Sequence, residues 1–237
     1  MKAPRAAGKS RRGAETIICT VDVVLLSLLD DSLHVALLKR EREPFSGALA
    51  LPGGEIKAGV DLSAWDAAAR MLKAKTGVQG PYLEQLATFS GPGRDPRGWS
   101  ISVAYCALVS AELLQNAGSA LHVVPVNRLP ALPFDHRSII NVAVTRVRSK
   151  SQYSSLPVYL CGNRFTLPQL QSVYEAVLGE AINKVSFRRK MDELGMLEPI
   201  SGAFEVGRAN RPAQLYQLRR AFRRRLSLLE RAINAGH

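Results

Sequence analysis

Three prolines within nine residues, Pro125, Pro130 and Pro133, divide the chain into two segments of different periodicity. Proline removes a backbone donor and disfavours helix just before it, so such a cluster reads as a boundary. Before it, apolar residues come in short runs. Thr16 to Leu29 is rich in Val, Ile and Leu, as a buried strand is; Asp30-Asp31-Ser32 reads as a hairpin turn and Leu33 to Arg40 as the return strand. Ala48 to Leu51 is a short strand ending at Pro52-Gly53-Gly54. Leu83 to Ser90 and Trp99 to Leu108 are two more, separated by a turn rich in Gly and Pro. One amphipathic helix, Ser63 to Lys75, lies among them. Ser63 caps it, Trp65, Ala68, Ala69 and Leu72 share a face, and Gly77 suits the left-handed position at its end. Strands around one helix predict an α/β sandwich over residues 15–130.

After the boundary the spacing is helical. Ser138 to Lys150 is predicted as a connecting helix at the head of a second domain, residues 135–237, with basic residues in its last turns. Thr166 and Pro168 open a helix with Leu170, Val173, Tyr174 and Val177 on its apolar face, and Gly179 stops it. Asn183 opens another, stopped by Gly195, and Met196 to Leu218 reads as strand, turn and strand. Helix, turn, helix, hairpin is the order of a winged helix-turn-helix.

Charge separates the halves further. The net charge is +12, of which residues 1–130 carry +3 and residues 131–237 carry +9. A basic domain attracts nucleic acid, an acidic membrane surface or an acidic partner. In the second helix Phe187, Met191 and Leu194 recur at core spacing. That leaves Asn183, Lys184, Ser186, Arg188, Arg189 and Lys190 for phosphates and base edges, and Arg208 and Arg211 for a wing. This division points to double-stranded DNA. Leu218 to Ile233 reads as a basic C-terminal helix whose arginines either contact phosphates or are solvated. Residues 1–14 form a basic arm, expected to be disordered when free, that either enters a minor groove or is a plain tail.

Cys19, Cys106 and Cys161 lie far apart in apolar surroundings, as core cysteines of a reducing cytosol do, and no zinc site is expected. Cys19 to Leu29 is too short to span a bilayer and contains Asp22. The expectation is a cytoplasmic protein with no membrane contact.

Leu51-Pro52-Gly53-Gly54, followed by a helix ending Arg70-Met71-Leu72-Lys73-Ala74-Lys75-Thr76-Gly77-Val78, resembles the Nudix family, whose box reads G-x5-E-x7-R-E-U-x-E-E-x-G-U with U aliphatic. Gly54, Arg70, Leu72, Gly77 and Val78 fit the frame. Met71, Ala74 and Lys75 stand where glutamates belong, the upstream glutamate falls near Val60, and the interval to Arg70 is two residues longer. Nudix hydrolases use those carboxylates to hold the divalent metal that activates water. The neighbouring acids Asp61 and Asp66 fall out of register. The expectation is therefore no catalytic residues, no metal and no hydrolysis.

Further segments extend the likeness: Arg94 to Tyr105, Phe134-Asp135-His136, Phe165 to Glu175, Asn183 to Lys190 with Leu194-Gly195, and Arg211-Pro212-Ala213 before Leu215-Tyr216. Together they resemble the Nudix-related transcriptional regulators of NAD metabolism, the NrtR family, over roughly residues 15–218. The resemblance implies a homodimer that binds a pseudo-palindromic operator, represses genes of NAD synthesis or salvage, and is released by ADP-ribose held in the Nudix domain. It implies no cofactor. Candidates for the ligand's diphosphate are Lys39, Arg40, Arg42, Arg94 and Arg97; for close backbone approach, Gly53 and Gly54; for stacking on adenine, Phe45 or Trp99. Asp95 is a ligand neighbour or a cap of the Pro96 turn. Two alternatives remain: an active Nudix pyrophosphatase on ADP-ribose, and a Nudix-type regulator of another pathway such as sugar use.

Overall fold

The computed structural model describes residues 16–79, 82–117, 120–206 and 212–222. The basic arm 1–14, the wing arginines Arg208 and Arg211, and the part of the expected C-terminal helix 218–233 that follows Phe222 lie outside the described residues; the described start of that stretch is instead the end of a strand at Leu218 and a 3-10 turn, Arg220–Phe222.

The first body is a mixed sheet of strands β1 (Ile18–Leu29), β2 (Ser32–Lys39), β3 (Leu49–Ala50), β4 (Gly53–Glu55), β5 (Tyr82–Gly91), β6 (Ser100–Leu108) and β7 (Leu121–Pro125), in the order β3-β2-β1-β6-β5 with β4 on β1 and β7 on β2. The predicted hairpin turn is present, with Asp30 and Asp31 both at positive φ, which matches the strands' twist. β1 is the central strand. It runs parallel to β6 and antiparallel to β2 and β4, and its side chains alternate between two cores. Val21, Val23 and Leu25 pack under α1 (Ala64–Thr76), while Val24 and Leu26 pack under α3 (His136–Ser151). A short helix α2 (Ala111–Gln115) adds Leu114 to the α1 side.

α1 begins and ends as the sequence predicts. The Ser63 hydroxyl accepts from the Asp66 amide, and Gly77 takes the left-handed conformation, donating to the Lys73 carbonyl. Its buried face is Ala67, Ala68 and Leu72; Trp65, expected on that face, stays half exposed. The small alanines let the helix sit close to the sheet, which leaves no room for an indole.

α3, read from the sequence as the head of the second domain, belongs to the first body by packing. Ile139, Ile140, Val144 and Val147 are buried against the sheet. At about 2 kcal/mol per buried aliphatic side chain, this outweighs any preference for a free linker.

A short 3-10 turn, Leu156–Leu160, leads to the second body: β8 (Phe165–Thr166), α4 (Leu167–Leu178), α5 (Lys184–Leu194) and the hairpin β9 (Leu197–Val206) with β10 (Pro212–Leu218). Thr166 and Gln169 form a reciprocal capping box at the head of α4. Phe165, Leu170, Tyr174, Phe187, Met191 and Met196 make this body's core. Val177 of α4 turns the other way and is buried in the cluster beneath α3, with Val173 packed beside it. Of the three cysteines only Cys106 is buried; Cys161 is partly covered, and Cys19 is exposed near the start of β1, ahead of the strand's buried run. Among the described residues no helix is long and apolar enough to cross a membrane.

Candidate functional site

A cleft of about 950 Å³ opens on the first body where β1, the end of β2, β4, the last turns of α1 and the Arg94–Arg97 turn converge. Lys39, Arg40, Arg42, Gly53, Gly54, Arg94 and Arg97, all proposed from the sequence, line it. Phe45 and Trp99 do not. The aromatic lining residue is Phe134, which sits at positive φ between the boundary prolines and α3. Phe45 meets its edge at 5.0 Å between centroids, and the Arg40 guanidinium lies 4.8 Å above its ring. Its signal is the Phe134-Asp135-His136 run, which in the sequence counts toward the family resemblance but not toward the ligand site.

The cations divide by what holds them. Arg94 is almost fully buried. It donates to both Asp135 oxygens at 2.8 and 3.0 Å and to the Ser100 hydroxyl at 3.2 Å, with Asp22 at 3.6 Å. It is thus committed to carboxylates of the protein itself. Arg97 is half exposed and bridges Asp95 at 2.8 Å and Glu55 at 3.3 Å. Asp95 also accepts from the Arg97 amide at 2.9 Å, the Asx-turn geometry expected of a cap. Arg40 donates to the Pro44 carbonyl at 2.9 Å, fixing the loop that carries Arg42.

At the floor, His136 Nδ1 accepts from the Leu51 amide at 3.1 Å, so the proton faces Asp22 from Nε2, 3.5 Å away. Ser102 donates to Asp22 at 2.6 Å. Burial alone would raise the Asp22 carboxyl, but His136, Ser102 and Arg94 hold it below the usual range. The β4 glycines keep the backbone close to its neighbours. A Cβ on Gly53 would collide with Asp22 Oδ1 and stand 2.5 Å from the Val21 carbonyl; one on Gly54 would meet the Met71 sulfur at 2.6 Å.

The residues present do not fit a divalent metal. Met71 lies over Gly54, Ala74 has no donor, and Lys75 donates from Nζ to the Gly53 carbonyl at 2.5 Å. A unit charge repels a dication about 4 Å away by roughly 8 kcal/mol at an effective dielectric of 20. Among the described residues no group of three His, Cys, Asp or Glu side chains is placed to hold a metal. Asp61, out of register for the box, instead fastens the loop to α1. It accepts from Arg70 at 2.5 and 2.6 Å and from the Lys57 amide at 2.8 Å.

On the second body α5 buries Phe187, Met191 and Leu194 and leaves Lys184, Val185, Arg188 and Arg189 exposed, with Ser186 and Lys190 partly so. Asn183, expected to contact DNA, caps the helix: its Oδ1 accepts from the Val185 and Ser186 amides at 3.0 and 3.1 Å. Val185 was overlooked. It is 77% exposed on an otherwise basic face, where a side chain of its kind can meet a thymine methyl. Neither core periodicity nor charge marks such a residue.

A Nudix-type α/β body with a degenerate box, followed by a winged helix, defines a two-domain class. Residues 20–142 match the NUDIX domain family and residues 157–218 match the NrtR DNA-binding winged helix domain. The ADPR responsive transcriptional repressor NtrR of Acinetobacter baylyi is 37% identical over 205 residues, covering 84% of this chain and 81% of that one. An ADP-ribose pyrophosphatase of Methanocaldococcus jannaschii is 33% identical over 120 residues, 50% of this chain and 70% of that one. The crystal structure of Shewanella oneidensis NrtR with a 27mer DNA superposes with a TM-score of 0.83 at 37% identity, covering 91% of this chain and 99% of that chain. The NUDIX domain of the same protein with ADP ribose gives 0.51 at 36% identity over 59% of this chain and 94% of that chain. The chain belongs to the NrtR family, with both of its domains in order.

Proposed function

We propose that this chain is a DNA-binding transcriptional repressor of genes for NAD synthesis or salvage, acting in the cytoplasm as a homodimer and released from its operator by ADP-ribose in the Nudix cleft. One observation carries the reading: Arg94, which lines the cleft, is paired with Asp135 at the head of α3, and His136 of the first turn of α3 lines the cleft as well. An anionic ligand arriving among Arg40, Arg42 and Arg97 brings its charge into the cleft that Arg94, the cation holding the head of α3, also lines. The repressor of A. baylyi, responsive to ADP-ribose, and the DNA and ADP-ribose complexes of the S. oneidensis protein support both halves of the proposal. In a dimer two copies of α5 would enter successive major grooves of a pseudo-palindromic site.

The reading includes no hydrolysis. Its support is the donor set: Ala74 and Lys75 in place of a carboxylate pair. The test is fluorescence anisotropy with DNA from the gene's own upstream region at fixed salt, with and without ADP-ribose. Specific binding relieved by ADP-ribose is expected. Specific binding indifferent to it would leave the repressor and remove the effector, and ADP-ribose cleavage with magnesium would remove the non-enzymatic reading.

A further inference from the structure

A diphosphate brings negative charge that its site must balance. A metal on glutamates would do so in a hydrolase, and that arrangement does not fit here. The C-terminal turn of α1 supplies a different cation. Lys75 Nζ lies 2.5 Å from the Gly53 carbonyl, a hard oxygen of the kind that ligates magnesium. That carbonyl is fixed by the sheet: Gly53 pairs with Asp22 of β1, and a Cβ at this position would collide with Asp22 and Val21. The ammonium is therefore seated on a rigid oxygen at the wall of the cleft, in the box position of a lost glutamate.

We infer that the Lys75 ammonium replaces the divalent cation, so that the cleft binds the diphosphate of its nucleotide without metal. This rests on the effector reading above. Gly53 is the one hydrogen-bond partner of Lys75 among the described residues, and an ammonium has three protons to give. Lys39, Arg40, Arg42 and Arg97 line the same cleft. Burial and the charge of Arg40 push the Lys75 ammonium toward deprotonation, only partly offset by Asp22 and Glu41, and burial and Arg97 do the same to Arg40, offset in part by Asp22, Asp95 and Glu43. A diphosphate among them relieves that crowding. The fixed charge also accounts for how a Nudix cleft can hold a nucleotide intact: an ammonium balances charge but delivers no activated water.

The experiment is titration calorimetry of the full chain with ADP-ribose, once in excess EDTA and once in excess magnesium, with inorganic pyrophosphate titrated in parallel. The affinity of the native chain for ADP-ribose is expected to be the same in both buffers. K75M is expected to weaken it about tenfold or more, as loss of a charge-assisted hydrogen bond does, and K75R to retain most of it. Native-like melting of K75M shows that the loss is not one of folding. The double variant A74E/K75E is expected to bind manganese and to need metal for the nucleotide. Native binding abolished by EDTA, or K75M binding as tightly as native, overturns the inference. If pyrophosphate binds without metal through Lys75 but ADP-ribose does not bind, the cation site stands and the effector identity falls. If neither binds, both fall.

Discussion

The Arg94 guanidinium grips the Asp135 carboxylate through two parallel hydrogen bonds, Nη2 to Oδ1 at 2.8 Å and Nε to Oδ2 at 3.0 Å. Asp135 is the residue before α3 and makes no side-chain cap bond to that helix. The pair thus ties the cleft to the helix head through a bidentate, charge-assisted contact. In D135N, ADP-ribose affinity is expected to stay near native while release of DNA by ADP-ribose is lost, measured by anisotropy with saturating ligand. Because Arg94 is left buried with Asp22 at 3.6 Å as its remaining carboxylate, stability should fall by about 3 kcal/mol in urea unfolding.

Gly53 and Gly54 are adjacent but not equivalent. A Cβ at Gly53 meets the backbone of Val21, which cannot yield, whereas one at Gly54 meets the end of the flexible Met71 side chain. G53A is expected to cost about 3 kcal/mol and G54A about 1 kcal/mol, the upper and lower ends for overpacking. Equal losses in urea unfolding would remove the distinction.

Asn183 separates capping from DNA contact. N183D keeps an oxygen for the Val185 and Ser186 amides, so its melting temperature should match native, while N183A should lose about 1 kcal/mol. The added negative charge of N183D should nonetheless weaken DNA binding. R188A, with no buried partner to lose, should leave stability alone and lower the slope of log affinity against log salt by about 1 if Arg188 meets a phosphate.

Asp61 makes part of the fold acid-labile. Its hydrogen bond with Arg70 holds the carboxyl at about 2, against an ordinary 3.8. A carboxyl lowered in the folded state stabilises above its unfolded value and ceases to do so as pH falls through the folded one. Native stability should decline from about pH 4 towards pH 2, Asp22 and Asp95 acting in the same direction. D61N should be less stable at neutral pH and show a flatter decline, read from urea midpoints across that range.

Local signals were legible where one residue decides the geometry. The Ser63 cap, the Gly77, Gly179 and Gly195 stops, the Thr166–Pro168 start and the Asp30-Asp31 turn all stand where the sequence puts them. β4 and β7 carry no such local signal. β4 contains two glycines, whose strand propensity is poor, and forms because β1 offers an edge; β7 ends at Pro125, a residue taken for punctuation. In the cleft, charge and glycine spacing located the lining, but pairing did not follow from them. That Arg94 would be held by Asp135, 41 positions away, and Asp61 by Arg70 are tertiary facts. Phe134 was passed over in favour of Phe45 and Trp99 because an aromatic beside prolines looks like linker.

Val177 of the winged helix is completely buried among residues of the Nudix sheet and α3. The winged helix keeps a core of its own, but Val177 and Val173 anchor α4 in the Nudix interior, so the two modules are expected to unfold together. Heat of unfolding should therefore appear as one calorimetric peak. Ligand in the cleft, worth about 2.7 kcal/mol at a hundred times its dissociation constant, should slow amide exchange in α4 as well as in the sheet. Communication between the two ends then takes the form of a small repacking of a common interior, not the bending of a hinge.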